Sequence, residues 1–138
     1  MRESAAPSPE YSLISQPVAN RPSVRVGIKV NGKILFINLG EVVVVRAEGN
    51  YVSLQQSAGS YLVREPISVL ADILEPFGFI RIHRSVLVNA WFVEDIKSDP
   101  TGEYRLHIQG GTEYLVTRTF KKNLKSLADF WVGMDISF

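Results

Sequence analysis

Residues 26–64 read VGIKVNGKILFINLGEVVVVRAEGNYVSLQQSAGSYLVR, and the turn signals inside this stretch decide the fold. Asn31 and Gly32 separate two apolar runs, residues 26–30 and 34–37, and a two-residue Asn-Gly link marks a hairpin whose central residues take positive φ. Residues 42–45 are consecutive valines, the composition of a strand buried on both faces. Glu48, Gly49 and Asn50 turn the chain into a strand over residues 51–55, and Ala58 and Gly59 turn it again into residues 61–64.

Downstream the pattern changes period once and then returns. Pro66 sits where a first helical residue would stand, Ile67, Leu70, Ala71 and Leu74 repeat at helical spacing, and Pro76 and Gly78 end the run. Strands follow at residues 79–83, 86–88, 92–96, 104–108 and 114–116, the last three forming a meander around residues 99–102 and the pair Gly110 and Gly111. Phe120, Leu124, Leu127 and Trp131 share one face of a short C-terminal helix whose other side carries Lys122, Lys125 and Asp129. Upstream, Pro7, Pro9, Pro17 and Pro22 break any periodicity, so residues 1–22 read as a flexible tail and residues 23–138 as one mainly β domain. No internal repeat is evident.

With 138 residues and 46% hydrophobic content, the chain can build one core without crosslinks. It has no cysteine, which removes disulfides, thiolate metal sites and cysteine nucleophiles and points to a cytoplasmic address. No secretory signal or bilayer-length apolar run is present, so membrane insertion is not expected. Net charge is only +1, from 15 basic and 14 acidic residues, so a polyanionic partner would have to meet a local basic surface. Such a surface is offered between Thr117 and Lys125, where Arg118, Lys121, Lys122 and Lys125 occur without an acid; Glu94, Asp95, Asp99 and Glu103 gather around the preceding turn.

Catalysis finds little support. His83 and His107 are the only histidines, and there is no phosphate-cradling loop, paired-acid motif or glycine fingerprint, so the chain reads as a non-enzyme with no metal or cofactor. Three polar clusters remain. In the first, strand alternation places Arg81 and His83 opposite Ile82 and leaves Arg84 and Ser85 in the following turn. An arginine there offers its fork to guanine O6 and N7 or to a phosphate, although a solvated strand face with a satisfied histidine fits the same residues. The second, Thr117, Arg118 and Thr119 followed by Lys121 and Lys122, puts cations at a helix start, where an anion would relieve the clash with the helix dipole; an ordinary charged face is the alternative. The third is the turn Glu48, Gly49, Asn50 and Tyr51, where Asn50 has the groups to pair with adenine but where such residues also mark turns in any β protein. Tyr51, Tyr61, Trp91, Tyr104 and Tyr114 suit strand packing and also a stacking platform for unpaired bases. Residue types alone therefore leave open a duplex-DNA binder, a single-strand binder, and a protein-interaction or ligand-sensing module.

Taken together, Ala47-Glu48-Gly49-Asn50-Tyr51-Val52, the run Phe79-Ile80-Arg81-Ile82-His83-Arg84-Ser85-Val86-Leu87-Val88-Asn89, and Val116-Thr117-Arg118 resemble the LytTR family of bacterial DNA-binding domains. The resemblance covers nearly everything after the tail. It implies an elongated arrangement of small β-sheets with one short central helix and a short C-terminal helix, and a cytoplasmic transcription regulator whose loops enter successive major grooves of double-stranded DNA. Carried over by position, DNA contacts fall on Asn50, Tyr51, Val52, Arg84 and Arg118, with Ser85, Thr119, Lys121 and Lys122 as phosphate partners and His83 and Asn89 as structural supports. It also implies a homodimer on direct repeats. A receiver domain often precedes this module in the family; with only a short tail here, the expectation is an output domain acting alone, held by a separate regulatory protein or ligand-sensing partner.

Overall fold

The computed structural model describes residues 24–130. Its first hairpin pairs β1 (Arg25–Val30) with β2 (Lys33–Asn38), and Asn31 (φ 50°) and Gly32 (φ 78°) both take the positive φ that a two-residue turn of this hand demands. A 3₁₀ turn leads into β3 (Val42–Glu48), β4 (Tyr51–Gln56) and β5 (Gly59–Val63), followed by α1 (Ile67–Leu74). The second half contains β6 (Phe79–His83), β7 (Val86–Asn89), a 3₁₀ turn, β8 (Val93–Ser98), β9 (Tyr104–Ile108), β10 (Glu113–Val116) and a 3₁₀ segment over Arg118–Phe130. All pairings are antiparallel, in three sheets ordered β1-β2, β5-β4-β3-β7-β6 and β10-β9-β8. The chain is mainly β, as its alternation and turn signals indicate.

Two details differ from the pattern read in the sequence. Pro66 caps α1 in an extended conformation (ψ 145°) instead of starting it, and its carbonyl accepts the Val69 amide at 3.1 Å. The C-terminal segment winds as 3₁₀, with Leu124 and Leu127 buried and Phe120 half-buried. Trp131 and the tail, residues 1–22, lie outside the described residues.

The middle sheet has a core on each face. On one, Val42, Val45, Val52, Leu54 and Leu87 pack with Ile28 and Ile37 of the first hairpin and with Leu70 and Leu74 of α1. On the other, Val44, Ile80, Ile82, Val86 and Val88 pack with Leu106, Ile108 and Val116 of the three-stranded sheet and with Leu124 and Leu127. β3 serves both because successive side chains face opposite sides, and a bulge between Val42 and Val44 shifts the phase so that Val42 and Val45 share the first core while Val44 faces the second. Burial on both faces is why four valines in a row are tolerated there, each worth about 1.5–3 kcal/mol when fully buried.

The succession of elements runs twice. Each half holds a hairpin, an Asn-capped 3₁₀ turn, a bulged strand, two more strands and a helical segment. Asn38 Oδ1 accepts the Gly40 amide at 2.8 Å, and Asn89 Oδ1 accepts the Trp91 amide at 3.0 Å. The Leu39 amide donates to the Val24 carbonyl at 2.8 Å, and the Ala90 amide to the Gly78 carbonyl at 2.9 Å. Bulges follow at corresponding places, between Val42 and Val44 and between Val93 and Asp95. The halves join where β7 pairs with β3, in the register Val44 to Val88, Val45 to Leu87 and Arg46 to Val86. Asn89 locks that joint: only 1% exposed, its Nδ2 donates to the carbonyls of Val42 (2.9 Å) and Leu39 (3.4 Å). The sequence conceals this repetition, because the joint keeps only the Asn and a following Val from one half to the other.

Candidate nucleic-acid interface

The joint between β3 and β7 also brings the polar turns together. β3 and β4 close with Glu48 opposite Tyr51, leaving Gly49 (φ 64°) and exposed Asn50 as the tip. A positive φ at that position suits glycine and strains other residues. Tyr51 is 43% exposed, whereas Val52 is 1% exposed and belongs to the first core. Strand alternation turns the Val52 side chain inward, so this residue is corrected from DNA contact to core. Arg64, at the end of β5, places its guanidinium carbon 5.9 Å from the Tyr51 ring centroid.

At the second turn, a bulge between Arg81 and His83 leaves Ile82 outside the ladder with β7. The Ser85 amide donates to His83 Nδ1 at 3.1 Å, which makes that nitrogen an acceptor and puts the ring proton on Nε2. The Ser85 hydroxyl lies 2.9 Å from the same nitrogen, so the His83 ring and Ser85 brace the turn together. Arg81 holds the other side, donating from Nη2 to the Arg84 carbonyl and from Nε to the His83 carbonyl at 3.4 Å. Arg84 itself is exposed on top of this braced turn.

The third element docks on the bulge. The Ile82 carbonyl accepts the Thr117 amide at 3.0 Å and faces its hydroxyl at 3.4 Å; Asn123 Nδ2 donates to the Arg81 carbonyl at 2.9 Å. The Arg81 guanidinium carbon lies 5.0 Å from the Phe120 ring centroid, clasping the β6–β7 turn to this segment. Arg118, Thr119 and Lys122 are exposed; Lys121 is half-buried, its ammonium 5.1 Å from the Tyr104 ring centroid.

Backbone bonds fix these parts side by side. The Ala47 amide donates to the Ser85 carbonyl at 2.9 Å, setting the β3–β4 tip beside the β6–β7 turn, and Thr117 follows against Ile82. Exposed Asn50, Tyr51, Arg64, Arg84, Arg118, Thr119 and Lys122 stand on or next to these joined segments, with Glu48 and Glu65 among them. Arg64 and Arg81 were not singled out as contact or support residues from sequence. Arg64 is brought in only by the pairing of Val52 with Val63, and Arg81 by a cluster whose role needs Phe120, far along the chain.

Comparison with known proteins gives the class. The family model described as the LytTr DNA-binding domain matches residues 32–129, and the chain belongs to that family. Among curated relatives, it is 27% identical over 103 residues to the sensory transduction protein LytT of Bacillus subtilis, covering 75% of this chain and 43% of that protein. It is 33% identical over 106 residues to the positive alginate biosynthesis regulatory protein of Pseudomonas aeruginosa, covering 73% of this chain and 42% of that one. The chain thus spans less than half the length of these two relatives. A LytTr DNA-binding domain from Bacillus cereus superposes with a TM-score of 0.64 at 19% identity, over 77% of this chain and 97% of that structure, in agreement on the fold. Among the described residues no helix is long and apolar enough to cross a membrane.

Proposed function

We propose that this chain is the output module of a bacterial transcription regulator, acting in the cytoplasm without catalysis, that binds double-stranded DNA sequence-specifically. The three joined turns support this reading more than any other feature: the Ala47–Ser85 and Thr117–Ile82 backbone bonds hold Asn50, Arg84 and Arg118 on adjacent supports. Arg84 and Arg118 are the base readers, with forks suited to guanine, and Asn50 has the donor and acceptor for adenine. Ser85, Thr119, Lys122 and Arg64 meet phosphates, while His83, Arg81 and Asn89 hold the supports in place. Lys121, its ammonium 5.1 Å from the Tyr104 ring centroid, is a further phosphate partner.

Two copies occupy direct repeats in this reading. The test is selection of bound duplexes from a random pool, followed by competition with single strands and with unselected duplex. Enrichment of a repeated motif, with weaker binding to unselected duplex, is the expected result. A pool that emerges without a motif, or a preference for single strands, would reject it.

A further inference from the structure

The internal joint between the two halves has two unused counterparts. β7 of the second hairpin adds to the edge of β3; by the repetition of elements, β2 corresponds to β7 and β8 to β3. Among the described residues, β2 bonds only to β1 and β8 only to β9, so both corresponding edges are open. Open edges of this kind are templates for another strand.

The side chains at these edges are those of a joint lacking its other half. Leu87, which fills the first core from β7, corresponds to Phe36, which is 58% exposed, with Ile34 beside it 62% exposed. Asn38 repeats the cap of Asn89, yet among the described residues no acceptor is recorded for its Nδ2, while that of Asn89 holds the Leu39 and Val42 carbonyls. The counterparts of those carbonyls are on Ala90 and Val93, at the start of β8. Charge is complementary too: the first hairpin exposes Arg25, Lys29 and Lys33, and β8 exposes Glu94 and Asp95 beside a single Lys97.

We propose that the partner for these edges is a second copy of this chain, joined head to tail, with β2 of one copy adding antiparallel to β8 of the next. Phe36 then lies opposite Ile96, as Leu87 lies opposite Val45 within one chain, and Asn38 donates to the neighbour's Ala90 and Val93 carbonyls. The contact is heterologous, so the copies keep one polarity. That polarity matches directly repeated half-sites, whereas a two-fold contact matches palindromes; this consequence, though not the contact itself, rests on the proposed DNA binding.

The chain's lack of cysteine makes the test clean. Separate pools of Phe36→Cys and Ile96→Cys protein are mixed under mild oxidation. The mixture is expected to give a disulfide-linked dimer while either pool alone gives no cross-link; equal cross-linking in the Phe36→Cys pool alone, or none in the mixture, overturns the proposal. Independently of how Ile96→Cys folds, Phe36→Asp should abolish cooperative filling of a duplex bearing two direct sites and leave single-site affinity unchanged. Cooperativity surviving in Phe36→Asp also overturns it. If the cross-link forms but wild-type protein binds no duplex, the head-to-tail contact stands and the DNA reading fails.

Discussion

Arg84 is exposed on a turn whose own polar groups are satisfied by its neighbours, which is the condition for an arginine to aim at something outside the protein. Replacing Arg84 or Arg118 with Ala should cost about 1–3 kcal/mol on a selected duplex and flatten discrimination at one base position. Lys122→Ala should instead weaken selected and unselected duplexes alike and reduce the salt slope by about one. Binding isotherms at several salt concentrations separate the two behaviours. Asn89 acts through stability: truncation to Ala removes the side-chain donor of the buried Val42 carbonyl and the longer bond to the Leu39 carbonyl, which keeps the Val42 amide, a loss of about 1–3 kcal/mol readable in urea unfolding.

Among elements, the β8–β9 hairpin has a pH dependence of its own. The Asp99 carboxylate accepts the Thr101 hydroxyl and the amides of Glu103 and Thr101, both at 3.2 Å, with Arg105 Nε 3.7 Å away. The Thr101 hydroxyl foremost, then the amides and the Arg105 charge, hold this carboxyl below its ordinary value of 3.8. A depressed carboxyl stabilises the fold above its unfolded pKa, and that contribution is lost as pH falls through the folded value. Urea midpoints of wild type and Asp99→Asn should therefore differ at about pH 6 and converge toward about pH 2. A gap unchanged across that range would show that the carboxylate charge is not what holds the turn. The hairpins and strands were legible because turn residues and alternation act locally: Asn31 and Gly32 for the first hairpin, Gly110 and Gly111 before β10. Tertiary choices were hidden. Nothing in sequence order says that β7 adds to β3, and the inward turn of Val52 follows from an alternation that the family-based reading overrode.

For the whole molecule, a net charge of +1 leaves DNA attraction to local placement. The exposed cations Arg64, Arg84, Arg118 and Lys122 stand against Glu48 and Glu65 on the same surface, so the dependence of log K on log salt should be shallow, about −2 to −4. A slope near −10 would mean that a far larger basic surface takes part. The proposed DNA surface leaves out the Asn31–Gly32 turn and the β8–β9 turn, where Asp99 pairs with Arg105. Backbone amide shifts recorded while a duplex bearing a single selected site is titrated into the protein decide this directly. Changes concentrated at residues 48–51, 64, 83–85 and 117–122, with residues 31–33 and 99–102 silent, are predicted; changes led by 31–33 or 99–102, with Arg84 and Arg118 unmoved, would contradict the convergence of the three turns on DNA.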